Sequence, residues 1–157
     1  MCIRNLFKKK PKNIYLAAPF GTPNSEKRRI AIKAKTILEN KKFSVYAPWE
    51  MTIKNAWDLP NNIWGKKVFE ADKKAIDKCD YVILLSYGRL GTSSGINWES
   101  GYAYGIGKKV IVVELDFNDT MSLMVSNGSW AVVKGLDGLA QYDFNKLKRV
   151  MTNTEQK

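Results

Sequence analysis

The chain reads as an α/β protein whose parallel sheet is covered by helices on both faces, and three observations lead there. Short, nearly unbroken apolar runs recur, such as Tyr-Val-Ile-Leu-Leu-Ser at 81–86, as strands buried on both faces require. Between the runs, apolar residues return every three or four positions, the period of a helix packed on one side. The two kinds of segment alternate, the order of successive strand–helix–strand crossovers.

Residues 13–18 (Asn-Ile-Tyr-Leu-Ala-Ala) form the first predicted strand, followed by the loop 19–25. A helix over 25–42 comes next, with Ile30, Ala34, Ile37 and Leu38 on one face. A short strand at 43–47 is closed by Pro48, and residues 51–62, rich in Trp, Pro and Asn, read as an irregular loop suited to lining a pocket. Then come a helix at 63–79, the strand at 81–86, a helix at 96–107 and a strand at 109–113. A shorter helix near 120–127, a strand at 131–134 and a last helix from about 145 complete the order. Five strands so arranged predict a single flavodoxin-like domain with a doubly wound five-stranded parallel sheet. Its expected bounds are 13–152, between a flexible basic arm at 1–12 and a disordered tail at 153–157.

Hydrophobic residues make up 45% of the chain, enough for a core and too many for a disordered polymer. No apolar run approaches the ~20 residues of a membrane span, and no secretory leader follows the basic start, so a cytoplasmic protein is expected. Cys2 and Cys79 have neither paired spacing nor histidine company, which argues against a disulfide framework or a structural metal. The chain has no histidine, which excludes Ser-His-Asp and Cys-His catalysis. Carboxylates, tyrosines, serines and lysines remain for acid–base or nucleophilic work. The net charge of +11, from 26 basic and 15 acidic residues, points toward a polyanionic or phosphorylated partner. Much of it is explained by lysines on predicted outer helix faces (Lys33, Lys35, Lys41, Lys42, Lys73, Lys74). The cluster Lys27-Arg28-Arg29 behind the first strand is the more specific feature.

The stretch Thr92-Ser93-Ser94-Gly95-Ile96-Asn97-Trp98-Glu99-Ser100-Gly101-Tyr102-Ala103 is the most informative. Ser93 and Ser94 are good cap residues, and Gly95, Glu99, Tyr102, Ala103 and Ile106 are expected on one face. Glu99 is thereby placed in the first turn, where the helix dipole favours an ionised carboxylate, beyond the carboxyl ends of the strands. In the preceding helix, Trp64, Val68, Asp72 and Ile76 form one row, so Asp72 sits inside an apolar stripe where an unpaired carboxylate is costly. Tyr15 in the first strand either packs or orients a carboxylate. The loop Ala18-Pro19-Phe20-Gly21-Thr22-Pro23-Asn24-Ser25 opens a helix, as anion-binding loops do, yet no Walker or GxGxxG pattern supports ATP or dinucleotide binding. Two carboxylates and a tyrosine suit displacement at an anomeric carbon, with one carboxylate as nucleophile and a donor for the leaving group.

At these residues the chain resembles the nucleoside 2-deoxyribosyltransferase family. The similarity runs through Ile14-Tyr15-Leu16-Ala17-Ala18-Pro19, Tyr46-Ala47-Pro48-Trp49-Glu50, Asp72 with Asp80-Tyr81-Val82, the segment from Gly95 to Tyr104, Ser122-Leu123-Met124 and Tyr142-Asp143-Phe144. The resemblance implies a cofactor-free, metal-free enzyme in which Glu99 attacks C1′ of a deoxyribosyl unit, Tyr15 orients Glu99, and Asp72 hydrogen-bonds or protonates the base. It implies further substrate contacts from Ala18, Phe20, Gly21, Arg28, Trp49, Ser93, Gly95, Ser122 and Met124. It also implies a homodimer or larger homo-oligomer, in which the Ser122 region enters the neighbouring pocket. Two positions depart from the transferase pattern: Ser93 stands where an aspartate is usual, and Ser122 where asparagine is usual. There the chain is similar to the related 2′-deoxynucleoside 5′-monophosphate N-hydrolases, whose serines bind a phosphate, and Gly21, Thr22, Ser25 and Arg28 lie in the matching first loop. The substrate is accordingly a nucleoside or a nucleoside 5′-monophosphate, and the acceptor another base or water. Two readings without catalysis stand beside these, a nucleic-acid-binding module carried by the basic charge and a nucleotide sensor that keeps the pocket without the reaction.

Overall fold

The computed structural model describes residues 12–19 and 21–145. Residues 1–11 of the expected arm, Phe20, the expected helix beyond Asn145 and the expected tail lie outside the described residues. Five parallel strands, β1 (Asn13–Ala17), β2 (Ser44–Tyr46), β3 (Tyr81–Ser86), β4 (Lys109–Glu114) and β5 (Ala131–Lys134), line up in the order β2-β1-β3-β4-β5. This is the flavodoxin-like order read from the sequence, with its switch point between β1 and β3. The helices are α1 (Glu26–Asn40), α2 (Asn61–Lys78), the single turn α3 (Gly88–Gly91), α4 (Ser94–Gly105), α5 (Leu123–Gly128) and α6 (Gly135–Gln141).

Alternation along the strands splits the core into two layers. Ile14, Leu16, Ile83, Leu85, Ile111 and Val113 point to one face, where Ala31, Ala34 and Leu38 of α1 and Leu139 of α6 cover them. Tyr15, Ala17, Val82, Leu84, Val110 and Val112 point to the other, against Ile76 of α2 and Ile96 and Ala103 of α4. All six residues of β3 are buried, as a central strand covered on both faces must be.

Both long helices flanking β3 differ from expectation. α2 starts at Asn61, and its first half stands clear of the core, so Trp64, predicted to share the buried row with Asp72 and Ile76, is 45% exposed. On α4 the buried line is Ile96, Ser100 and Ala103, while Gly95 and Ile106 face solvent. The caps explain where these helices begin: Ser25 accepts a bond from Arg28 N, and Ser93 one from Ile96 N. α4 ends at Gly105 and is capped by Ile106, and the next residue, Gly107, has a φ of +76° in the left-handed region that glycine supplies. α6 was not foreseen. Its Gly135 and Gly138 weaken the helical signal, and Leu139, packed in the first layer, holds it in place. Among the described residues no helix is long and apolar enough to cross a membrane.

Candidate active site

The site grows out of strand register. Tyr15 of β1 and Tyr46 of β2 are directly paired residues of neighbouring parallel strands, so their side chains leave the same face of the sheet. Their rings stack with centroids 5.5 Å apart and planes 17° from parallel. Each hydroxyl then donates to a carboxylate from a different helix. Tyr15 bonds Oε1 of Glu99 on α4 at 2.9 Å, and Tyr46 bonds Oδ1 of Asp72 on α2 at 2.9 Å. α2 and α4 pack on one another above this pair of strands. The result is a bracket in which two in-register tyrosines hold two carboxylates side by side. Among the described residues, Oε2 of Glu99 and Oδ2 of Asp72 accept no hydrogen bond, which leaves one oxygen of each acid for a ligand.

Burial governs the chemistry here. Glu99 is pushed up from its ordinary value of 4.5 to about 7, first by loss of solvent and then by the Asp72 charge, while the Tyr15 hydrogen bond opposes the rise. Asp72 is raised by burial and partly restored by the Tyr46 hydroxyl. Both tyrosines are pushed well above their ordinary range, chiefly by burial and then by the adjoining carboxylates, so both remain hydrogen-bond donors at any working pH. The expectation that Glu99 stands in the first turn, where the helix dipole is strongest, is corrected by the structure. Glu99 is the sixth residue of α4, and no acidic residue lies in the first turn. The dipole acts mainly within that turn, so desolvation prevails.

Of the sequence-predicted residues, Tyr15, Asp72 and Glu99 come together. Gly21, Arg28 and Trp49 form a separate cluster at the start of α1: Arg28 Nη2 donates to the Gly21 carbonyl at 3.2 Å, and its guanidinium lies 5.3 Å from the Trp49 ring centre. A Cβ on Gly21 would overlap Ser25 Oγ, so glycine is needed where the loop folds over its cap. Ala18 is buried in the α1 layer of the core rather than beside Glu99. Ser93 and Gly95 are exposed at the entrance of α4. Ser122 and Met124 border a groove of about 480 Å³ between α4 and α5, shared with Asn97, Ser100 and Tyr104. At 100° per residue that face of α4 lies about 150° around the helix from Glu99, so the groove and the carboxylate bracket lie on different sides of α4. Phe20 lies outside the described residues.

Tyr46 is the member of the bracket that the sequence reading did not single out. A signal was there: an aromatic residue at the carboxyl end of a strand, just before Ala47-Pro48, as Tyr15 stands before Leu16-Ala17-Ala18-Pro19. Met51, whose sulfur lies 3.6 Å from the Tyr46 hydroxyl, brings the start of the irregular loop to the same place.

A sequence profile of the nucleoside 2-deoxyribosyltransferase family matches residues 14–151. The chain belongs to this family. The solved structure of the 2-deoxyribosyltransferase from the psychrotolerant bacterium Bacillus psychrosaccharolyticus is similar at 25% identity and a TM-score of 0.76, covering 89% of this chain and 98% of that one. The Clostridium botulinum CMP N-glycosidase shares the fold at 17% identity and a TM-score of 0.58, over 83% and 96% of the two chains. A conserved protein from Enterococcus faecalis V583 does so at 19% and 0.59, over 83% and 98%. No curated protein sequence matches the chain. As a nucleoside 2-deoxyribosyltransferase family member, the protein is an enzyme of the N-glycosyl transfer class acting on nucleosides.

Proposed function

We propose that the protein cleaves the N-glycosidic bond of 2′-deoxynucleosides through a covalent glycosyl–Glu99 intermediate and passes the deoxyribosyl group to another base or to water. The observation that carries this reading is the bracket itself: a half-buried, oriented carboxylate with one free oxygen, beside a second acid with a free oxygen on the facing helix. Glu99 Oε2 attacks C1′ as the C1′–N bond breaks, and the bonding electron pair leaves with the base. Asp72 gives its proton to a ring nitrogen of that base. The ester is then opened by a second base or by water, and a proton returns to Asp72. Tyr15 keeps Glu99 aimed at the anomeric carbon.

The electrostatics suit a pair that carries one proton. Burial raises both carboxylates and the Asp72 charge raises Glu99 further, so the pair resists double ionisation. The productive arrangement is ionised Glu99 with protonated Asp72. The positive charge that develops at C1′ favours it when a substrate is bound.

Features of the outer surface support an oligomer. Leu123 and Met124 are 78% and 84% exposed at the start of α5, and Trp98 and Tyr104 stand out from α4. Such apolar projections suit a subunit interface, and we place the Ser122–Met124 segment at a neighbouring subunit's pocket in a homodimer or larger homo-oligomer. A second reading, hydrolysis of 2′-deoxynucleoside 5′-monophosphates, is favoured by Ser93, which stands exposed at the N-terminus of α4 where a transferase has a carboxylate. A hydroxyl and backbone N–H groups accommodate phosphate there better than an acid does.

Incubation with deoxyinosine plus adenine, and separately with each deoxynucleoside 5′-monophosphate, distinguishes the two by base exchange against release of free base. Glu99→Ala is expected to lower either reaction by roughly 10³-fold or more. A variant that retains most activity would refute the assignment of Glu99.

A further inference from the structure

The mechanism above uses Tyr15, Asp72 and Glu99 and leaves Tyr46 idle. Its placement is more specific than packing demands. A phenylalanine would supply the ring contact with Tyr15 equally well, yet the hydroxyl at this position ends 2.9 Å from Oδ1 of a carboxylate that is only 7% exposed. The titratable groups facing Asp72 are Tyr46 from β2, Tyr15 from β1 and Glu99 from α4. Of these, Tyr46 alone is hydrogen-bonded to it.

This contact constrains Asp72. α2 holds the Asp72 backbone, but an aspartate side chain can still turn about two bonds, and a rotated carboxyl would present its proton in the wrong direction. Anchoring Oδ1 removes that freedom and leaves Oδ2 as the oxygen that meets the departing base. The stacked rings extend the constraint to Glu99: Tyr15 and Tyr46 are paired in register, so the nucleophile and the acid are held from one rigid pair of strands although they reside on two helices. We propose that Tyr46 is a positioning residue for leaving-group departure, acting through Asp72 to aim its proton at the base while Tyr15 aims Glu99 at C1′.

This inference rests on the glycosyl-transfer reading, and it makes a prediction that a structural role for Tyr46 does not. Help from Asp72 matters only when the base needs a proton to leave. The purine of 2′-deoxyguanosine needs one, whereas that of 7-methyl-2′-deoxyguanosine already carries the positive charge and departs without it. Tyr46→Phe is expected to lower kcat on 2′-deoxyguanosine by roughly 10- to 100-fold with little change in KM, and to leave turnover of the 7-methyl nucleoside within about threefold of the parent protein. In an Asp72→Asn background the added Tyr46→Phe change is expected to cost nothing further, because the route through Asp72 is already closed. Equal losses on both substrates, or an additive loss in the double variant, would assign Tyr46 to the framework and overturn the proposal. Absence of turnover by the unaltered protein on every nucleoside and nucleotide would instead refute the reaction assigned to the site.

Discussion

The two faces of the sheet are built to different ends. On the α1 and α6 side the inward residues of the strands are aliphatic apart from Tyr81, whose hydroxyl donates to the Phe144 carbonyl, and they meet Ala31, Ala34, Leu38 and Leu139. On the α2 and α4 side the same strands present Tyr15 and Tyr46, and the helices answer with Asp72 and Glu99. The first layer contributes stability by burying apolar surface, at roughly 25 cal/mol per Å². The second gives some of that up, since two desolvated acids are held where neither is comfortably ionised. One sheet thus carries a foundation on one side and a strained, reactive arrangement on the other, as a functional site commonly requires.

Substitutions on opposite faces sharpen this contrast. The largest effect on stability is expected from Leu38→Ala. Leu38 is fully buried beneath α1, and the cavity should cost about 2–5 kcal/mol by denaturant unfolding, with specific activity of the folded fraction unchanged. A loss below about 1 kcal/mol would mean that the α1 layer is not the foundation described.

Glu99→Gln is expected to act in the opposite direction on stability while removing the carboxylate proposed as the nucleophile. In the folded protein Glu99 holds its proton up to about pH 7, against the ordinary value of 4.5 in the unfolded chain. Between those values the folded state binds more protons than the unfolded one, so stability falls as pH rises. Below the lower value this penalty is absent, and above the upper one it is fully present at about 3 kcal/mol. The glutamine variant should therefore gain stability over the parent at pH 8 and not at pH 4. An unchanged difference between the two pH values would remove the case for a desolvated Glu99. The same titration sets the sign for activity in the parent: kcat/KM should fall as pH rises through about 7, where the pair loses its one proton and Asp72 has none to give the base.

What could be read from residues alone follows the length of the signal. The strand order and the association of Tyr15, Asp72 and Glu99 were legible because β1, β3, β4, α2 and α4 have strong periodicity or a contiguous motif. Tyr46 escaped because β2 spans only three residues, Ser44–Tyr46, too few for alternation to indicate which side chain faces inward. The setting of Glu99 was misread because a dipole can be placed by counting from a cap, whereas desolvation depends on what α2 and β1 bring over it. The row from Trp64 to Ile76 had the right period, but periodicity does not say how far a partner surface extends, and the first half of α2 runs beyond it.

The account depends on an oxygen of Glu99 forming a bond to C1′, and trapping that bond tests it most directly. A 2′-deoxy-2′-fluoroarabinosyl nucleoside slows opening of a glycosyl ester, because fluorine disfavours positive charge at C1′. Mass spectrometry of the treated protein should show one added fluorinated pentosyl group per subunit, mapped after digestion to Glu99 in the segment from Gly95 to Tyr104. Turnover of the natural nucleoside with no adduct on trapping, or with the adduct on another side chain, would contradict the account.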